Sequence, residues 1–262
     1  MSRVLNLKEM QNLLAFHLDS GVDCFLCNKP QNRTEKEHMT NSKASVQNQP
    51  TFKIEPEKAN KSLTMHELVR KLVADVKSLH ELRKKVENFD GLEIRKGANK
   101  VVFGDGNPKS DIMLIGEAPG VEEDKQGIPF CGQSGKLLQN ILAAINLDRS
   151  NYYITNTVFW RPPANRRPTA AEIDICRPFV EKHIALVQPK VIVLVGSTAV
   201  ESLLRLQKPM HELRKNVFSY VNQYLEAEIK TFVIFHPSYL LRQAKQKKLM
   251  YQDILKIKAA LK

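Results

Sequence analysis

The stretch "IMLIGEAPGVEEDKQGIPFCG", Ile112 to Gly132, carries the architecture of this chain. It opens on an unbroken apolar run, as in a strand buried on both faces, and Gly-Glu-Ala-Pro-Gly then ends the strand and delivers a loop. Strands of this kind belong to parallel sheets covered by helices on both sides. Working outward, the chain from Val101 onward alternates the same way. Strands are predicted at "VVF" (101–103), "YYITNT" (152–157), "VIVLVG" (191–196) and "FVIF" (232–235). Helices are predicted at Gly135–Ile145, Thr169–Val187, Ser197–Leu206 and Tyr239–Leu261. Thr169 with Glu172 forms a capping box, and Ser197 is a natural N-cap. The fold class expected is α/β: a three-layer α/β/α sandwich around a central, mostly parallel sheet.

The first part of the chain reads differently. Asn6–Ser20 places Met10, Leu13, Leu14 and Leu18 at helical spacing, so residues 1–27 are expected to hold an N-terminal helix. Residues 28–61 are polar, rich in Pro, Asn and Lys, and are expected to be a disordered linker. Residues 62–90 are expected to be one amphipathic helix leading into the core. Its stripe is Leu68, Leu72, Val73, Val76, Leu79 and Leu82, and "FDG" ends it at Gly91. Residues 91–262 are expected to form the main domain.

Of 262 residues, 40 are Lys or Arg and 28 are Asp or Glu, a formal net charge of +12 that attracts polyanions such as nucleic acid. No apolar run approaches the roughly 18 residues of a membrane span. The N-terminus has no signal-peptide core. A cytoplasmic protein with no membrane association is therefore expected. The 4 cysteines do not make a disulfide scaffold. Cys24 and Cys27 form a C-x-x-C, open to metal, cluster or redox chemistry or to two ordinary thiols.

In parallel α/β folds, ligands sit beyond the carboxyl ends of the strands. Those ends hold Glu117, Ala118, Pro119 and Gly120, with Phe130 further on; Asn156, then Arg161, Pro162, Pro163 and Asn165; Gly196, Ser197 and Thr198; and His236, Pro237 and Ser238. "GEAPG" is neither a dinucleotide fingerprint nor a phosphate-binding P-loop. Taken singly, each loop is an ordinary connection. Together they bring a carboxylate, an aromatic ring, an amide and an imidazole to one end of one sheet. The set is expected to form a pocket for a small planar polar molecule. Phe130 stacks on it, Asn156 reads an edge carrying one donor and one acceptor, and His236 bonds a carbonyl oxygen. Uracil has such an edge in N3–H and O4. Cytosine reverses the pattern and would leave a buried mismatch costing about 1–3 kcal/mol.

"GEAPGVEEDKQGIPFCGQSGKLL", "YYITNTVFWRPPANRRPT" and "FHPSYLLR", in this order, resemble the type-4 (family-four) uracil-DNA glycosylases from about Val101 to the C-terminus. The resemblance implies excision of uracil from DNA by hydrolysis of the N-glycosidic bond, leaving an abasic site. It implies a uracil site of Glu117, Ala118, Pro119, Phe130, Asn156 and His236, in which Glu117, Asn156 and His236 are catalytic. Glu117 orients water or stabilises the sugar cation, with Glu122, Glu123 and Asp124 competing for that role. His236 stabilises the departing base through O2.

"HPSYLLR" is expected to enter the minor groove, with Leu240 or Leu241 as a wedge and Ser238 and Arg242 nearby. Arg161, Asn165, Arg166 and Arg167 are the better phosphate contacts, beside the less certain Lys245, Lys247 and Lys248. The partner implied is uracil-containing DNA, and a monomer is expected.

The chain departs from the family over its 4Fe-4S cluster, which needs four Cys thiolates. "FDGLEIRKGANK" has no Cys where the family has a C-x-x-C, and Trp160 stands at a third cluster position. Only Cys176 is in place. The expectation is that the cluster is lost, that its site is repacked around Trp160, and that no cofactor is bound. Two rival readings remain: a glycosylase for hypoxanthine or another deaminated base, and a non-catalytic nucleic-acid-binding module on the same fold.

Overall fold

The structure, a computed structural model, describes residues 63–261. The helix expected at 6–20, the linker and the Cys24–Cys27 pair lie outside the described residues. Among those described, a six-stranded sheet runs β1 (Asp105–Gly106), β3 (Tyr153–Asn156), β2 (Ile112–Gly116), β4 (Val191–Val195), β6 (Ile229–Ile234) and β5 (Phe218–Tyr220). The central four strands are parallel, and β1 and β5 are antiparallel edges. Register is set at the centre, where Leu114 of β2 faces Ile154 on one side and Val193 on the other. Every residue of β2, β3 and β4 is buried, which explains their apolar runs without alternation.

Alternate residues of these strands feed two cores. On one face Met113, Ile115, Ile192, Leu194 and Val233 meet α1 (Met65–Val73), α2 (Leu79–Glu87), α5 (Ala170–Val187) and α6 (Ser197–Leu204). On the other, Ile112, Leu114, Ile154, Val193 and Ile234 meet α4 (Gln133–Ala143), α8 (Pro237–Arg242) and α9 (Lys247–Ala260). These are the three layers expected. The short helices α3 (Val121–Gln126) and α7 (Met210–Leu213) complete the set described. Among the described residues, no helix is long and apolar enough to cross a membrane.

Several local expectations are corrected. The single helix of 62–90 is two helices, because Ser78 starts a second one: its hydroxyl accepts from the Glu81 N–H at 3.2 Å, and the Lys77 N–H donates to the Glu81 carboxylate at 2.9 Å. The buried stripe is Val69, Val73, Val76, Leu82 and Val86, while Leu68 and Leu72 are exposed. "VVF" is not a strand, although the Val102 N–H bonds the Phe159 carbonyl at 2.8 Å. The helix expected over 239–261 is α8, a 3₁₀ turn and α9, broken at Gln243, whose φ of −125° and ψ of 70° lie outside the helical region. Gly196, not Ser197, is the N-cap of α6. The Thr169–Glu172 capping box forms as read.

Pro178 lies inside α5 and has no N–H for the Asp174 carbonyl one turn back. His66 of α1 reaches that carbonyl with Nδ1 at 2.8 Å. The helix-breaking residue thereby becomes a tie between α1 and α5.

Candidate functional site

The strand order reverses between β2 and β4, because the chain leaves β2 for β3 on one side and returns to β4 on the other. Such a reversal opens a crevice at the carboxyl ends, and the expected site residues stand there. A cavity of 290 Å³ is lined by Glu117, Ala118, Pro119, Phe130, Asn156 and His236 among others. That volume lies at the small end of ligand sites, suited to a single ring. A wider groove of 930 Å³ adjoins it, sharing Glu117, Asn165, His236 and Ser238 and continuing past Tyr239 and Arg242.

Asn156 is the last residue of β3 and pairs in register with Gly116, the last of β2. It is 1 % exposed, and its Oδ1 has no hydrogen-bond partner. A buried acceptor left open costs about 1–3 kcal/mol and calls for a partner that is not part of the chain. Gly116 makes the arrangement possible. A Cβ there would lie 2.4 Å from Phe130 Cζ and 2.6 Å from Asn156 Oδ1, so no other residue fits beneath the ring and the amide.

Phe130 is buried and has φ 54°, a left-handed conformation that is costly for a bulky side chain. Arg149 holds this turn by donating to the carbonyls of Pro129 at 2.8 Å and Phe130 at 3.0 Å, and is itself paired with Asp105 at 3.1 Å. The Phe130 ring centroid lies 5.9 Å from that of His236.

His236 leaves β6 as the N-cap of α8. The Ser238 N–H donates to His236 Nδ1 at 3.2 Å, and the Ser238 hydroxyl lies 2.7 Å from the same nitrogen. With Nδ1 accepting, the neutral ring carries its proton on Nε2, the nitrogen left for a ligand. Burial holds the His236 pKa below the usual histidine value, against the opposing pull of the Glu117 carboxylate. The ring is therefore neutral at pH 7. Gly196 permits the close approach of α6 to this loop: its φ is 94°, and a Cβ would meet His236 Cβ at 3.0 Å.

The carboxylates of the loop separate by partner. Glu123 accepts from the backbone N–H of Gly120 at 3.1 Å and of Gly132 at 2.8 Å, closing the loop on itself. Asp124 is fully buried and accepts from Asn99 Nδ2 at 2.6 Å and from the Asn99 N–H at 2.8 Å. Glu122 pairs with Lys125 on the surface. Glu117 faces both cavities and accepts from the Thr198 hydroxyl.

The expected DNA contacts are distributed unevenly. Arg161 donates to Asn165 Oδ1 at 2.7 Å. Arg166 grips Glu172 through two hydrogen bonds of 2.7 and 2.8 Å, and Arg167 bonds Thr198 and Glu201. Arg242 is exposed at the groove. Leu240 is 0 % exposed, whereas Leu241 is 41 % exposed. Gly116, Arg149 and Thr198 act at the site without having been assigned to it from the sequence. Thr198 stands at a strand end and Gly116 ends a strand, so position was a signal for both. Arg149 had none.

The family model of the uracil DNA glycosylase superfamily matches residues 103–257. The chain belongs to that superfamily. Among its relatives is a type-4 uracil-DNA glycosylase of Sulfurisphaera tokodaii, 36 % identical over 184 residues, covering 69 % of this chain and 84 % of the relative. A type-4 uracil-DNA glycosylase of Archaeoglobus fulgidus is 33 % identical over 188 residues, 70 % of this chain and 92 % of the relative. One from Thermotoga maritima is 35 % identical over 181 residues, 68 % and 92 % respectively. Within the superfamily, the chain thus falls with the type-4 uracil-DNA glycosylases.

The family's 4Fe-4S cluster does not fit the described residues. Cys176 is fully buried among apolar groups, and burial holds its thiol far above the usual range. Trp160, 1 % exposed, packs beside Phe89 (ring centroids 6.4 Å apart) and Phe159 (6.0 Å) in the same core. Cys131, the other cysteine described, lies in the pocket loop. Among the described residues, no group of three or more His, Cys, Asp or Glu is placed to hold a metal.

Proposed function

We propose that this chain excises uracil from DNA, hydrolysing the N-glycosidic bond of a flipped deoxyuridine and leaving an abasic site. The observation that carries this is the open Oδ1 of Asn156 at the floor of a small pocket, beside a strained aromatic ring. An amide offers one acceptor and one donor, the complement of the N3–H and O4 of uracil. Phe130 stacks on the base. Similarity over most of the length of relatives that are uracil-DNA glycosylases supports the same reading.

The base leaves the helix before the pocket reads it. Bond breaking puts negative charge on the uracil and positive charge on the sugar. His236 donates Nε2–H to O2 of the departing base, an electrostatic role for a neutral imidazole. Glu117 stabilises the sugar cation and orients the water, since the other carboxylates of its loop are engaged with backbone, Asn99 or Lys125. Leu241, exposed on α8, fills the vacated stack, while Leu240 anchors the helix. Arg242 lines the groove and meets phosphate, while Arg161, bonded to Asn165 and 3.9 Å from the buried Asp124, steadies the Pro-rich loop beside it. Arg166, at the pocket, joins Arg242 by exchanging Glu172 for phosphate, while Arg167 keeps its bonds to Thr198 and Glu201. The catalytic domain is residues 91–262, with α1 and α2 packed on it. The apolar packing around Trp160 and Cys176 takes the place of the family's 4Fe-4S cluster, so activity is expected without iron.

The experiment is alkaline strand cleavage of an end-labelled oligonucleotide carrying one uracil. Wild type is expected to cleave, and Asn156→Asp to lose cleavage while retaining DNA binding. Equal cleavage by both would remove Asn156 from recognition. DNA binding without any cleavage would favour a binding module.

A further inference from the structure

We propose that Thr198 is a positioning residue for Glu117, fixing which carboxylate oxygen remains available to the reacting sugar and water. The inference rests on the reading of Glu117 given above.

Glu117 follows β2 and Thr198 lies in the first turn of α6 after β4, so the hydrogen bond between them spans the crevice where the strand order reverses. Thr198 is 0 % exposed, and no water competes for its hydroxyl. The direction of the bond follows from its other partner. Arg167 Nε lies 2.9 Å from Thr198 Oγ1, and a guanidinium only donates. Thr198 therefore accepts from Arg167, and its single proton goes to Glu117 Oε2. Arg167 is held in turn by Glu201, one turn further along α6, at 2.6 Å, and Glu201 accepts from Gln207 at 3.0 Å.

The consequence is a carboxylate with distinguishable oxygens. Oε2 is committed to Thr198, and Oε1 has no hydrogen-bond partner among the described residues. Without the hydroxyl, the carboxylate rotates about its last bond, and the oxygen facing the substrate is no longer fixed. Misplacing a catalytic group in this way costs turnover more than affinity.

The test measures kcat and KM for uracil release, with thermal unfolding as a control, in wild type, Thr198→Val, Thr198→Ser, Glu117→Ala and the Thr198→Val/Glu117→Ala pair. Valine keeps the shape and removes the hydroxyl, and serine keeps the hydroxyl. Thr198→Val is expected to lower kcat about ten- to a hundredfold, the scale of one hydrogen bond to a charged group, with KM nearly unchanged. Thr198→Ser should return kcat to within about threefold of wild type. In the Glu117→Ala background, the valine should change kcat less than about twofold, because its effect travels through Glu117.

An equal loss in both backgrounds, or serine no better than valine, would overturn the proposal and make Thr198 a packing residue. Wild-type kcat in Glu117→Ala would overturn the role of Glu117 and this proposal with it. Absence of uracil release from the wild type itself would instead strike the glycosylase reading first.

Discussion

Gly116→Ala places one methyl group where the pocket has no room for it. The added Cβ would lie 2.4 Å from Phe130 Cζ and 2.6 Å from Asn156 Oδ1. Carbon atoms rest at about 3.5–4.0 Å, so the overlap with the ring exceeds 1 Å. Neither neighbour yields easily, because Asn156 is 1 % exposed and Phe130 is held in its left-handed turn by Arg149. Overpacking of this kind costs about 1–3 kcal/mol of stability. For a chain of this size that lowers Tm by roughly 2–12 °C.

Activity should fall further than stability, since the ring and the amide are the two groups that hold the base. Loss of the paired hydrogen bonds alone accounts for about a hundredfold in kcat/KM. The assay is uracil release from a single-uracil oligonucleotide, read beside thermal unfolding of the same preparation. Adding Phe130→Leu to Gly116→Ala should recover part of the Tm by removing the ring atom in collision, without recovering activity. Wild-type kcat/KM in Gly116→Ala would refute the reasoning, since the methyl would then fit where the geometry leaves no space.

His183 is fully buried with Nδ1 unpaired, stacks on Phe103 at 4.3 Å, and has its pKa lowered to about 3 by burial. Its folded pKa is below the unfolded one, so the unfolded chain binds the proton first. Stability is intact above about pH 6.5 and falls by about 1.4 kcal/mol per pH unit between there and about pH 3. Urea unfolding at several pH values should show His183→Phe with a flatter acid dependence; an unchanged slope would contradict the assignment. Leu240→Ala should cost about 2–5 kcal/mol in urea unfolding, as a buried truncation does. Leu241→Ala should leave stability within about 0.5 kcal/mol and slow excision from double strands more than from single strands, and the reverse pattern would exchange the two roles. Nitrogen-15 spectra should show His236 as a neutral ring protonated at Nε2 at pH 7. A proton on Nδ1 would be incompatible with the Ser238 N–H donating there.

The central strands were legible because burial on both faces leaves an apolar run with nothing polar in it. β5 and α7 were not, being short and mixed in character. The break between α1 and α2 was written in Ser78 and Glu81, but a continuous apolar spacing across it masked the second N-cap. Strand ends gave Glu117, Asn156 and His236, since topology sends those positions to one crevice; Phe130 lies beyond α3 and was legible only from the motif that carries it. What joins them was out of reach. The Thr198–Glu117 bond closes across 81 positions, and the Arg149 clamp on Phe130 across 19. Spacing along the chain carries no trace of either. The same holds for the loop carboxylates: Glu122, Glu123 and Asp124 look equivalent to Glu117 in sequence and are separated only by where their oxygens find donors.

On the proposed reading, the pocket recognises uracil through Asn156 and works without the family's 4Fe-4S cluster. The most direct measurement is free uracil released from a single-uracil oligonucleotide by protein in which elemental analysis finds no iron. Release by the iron-free wild type, abolished in Asn156→Asp at unchanged DNA affinity, is the predicted result. Release that appears only in iron-loaded protein, or that survives Asn156→Asp, would contradict it.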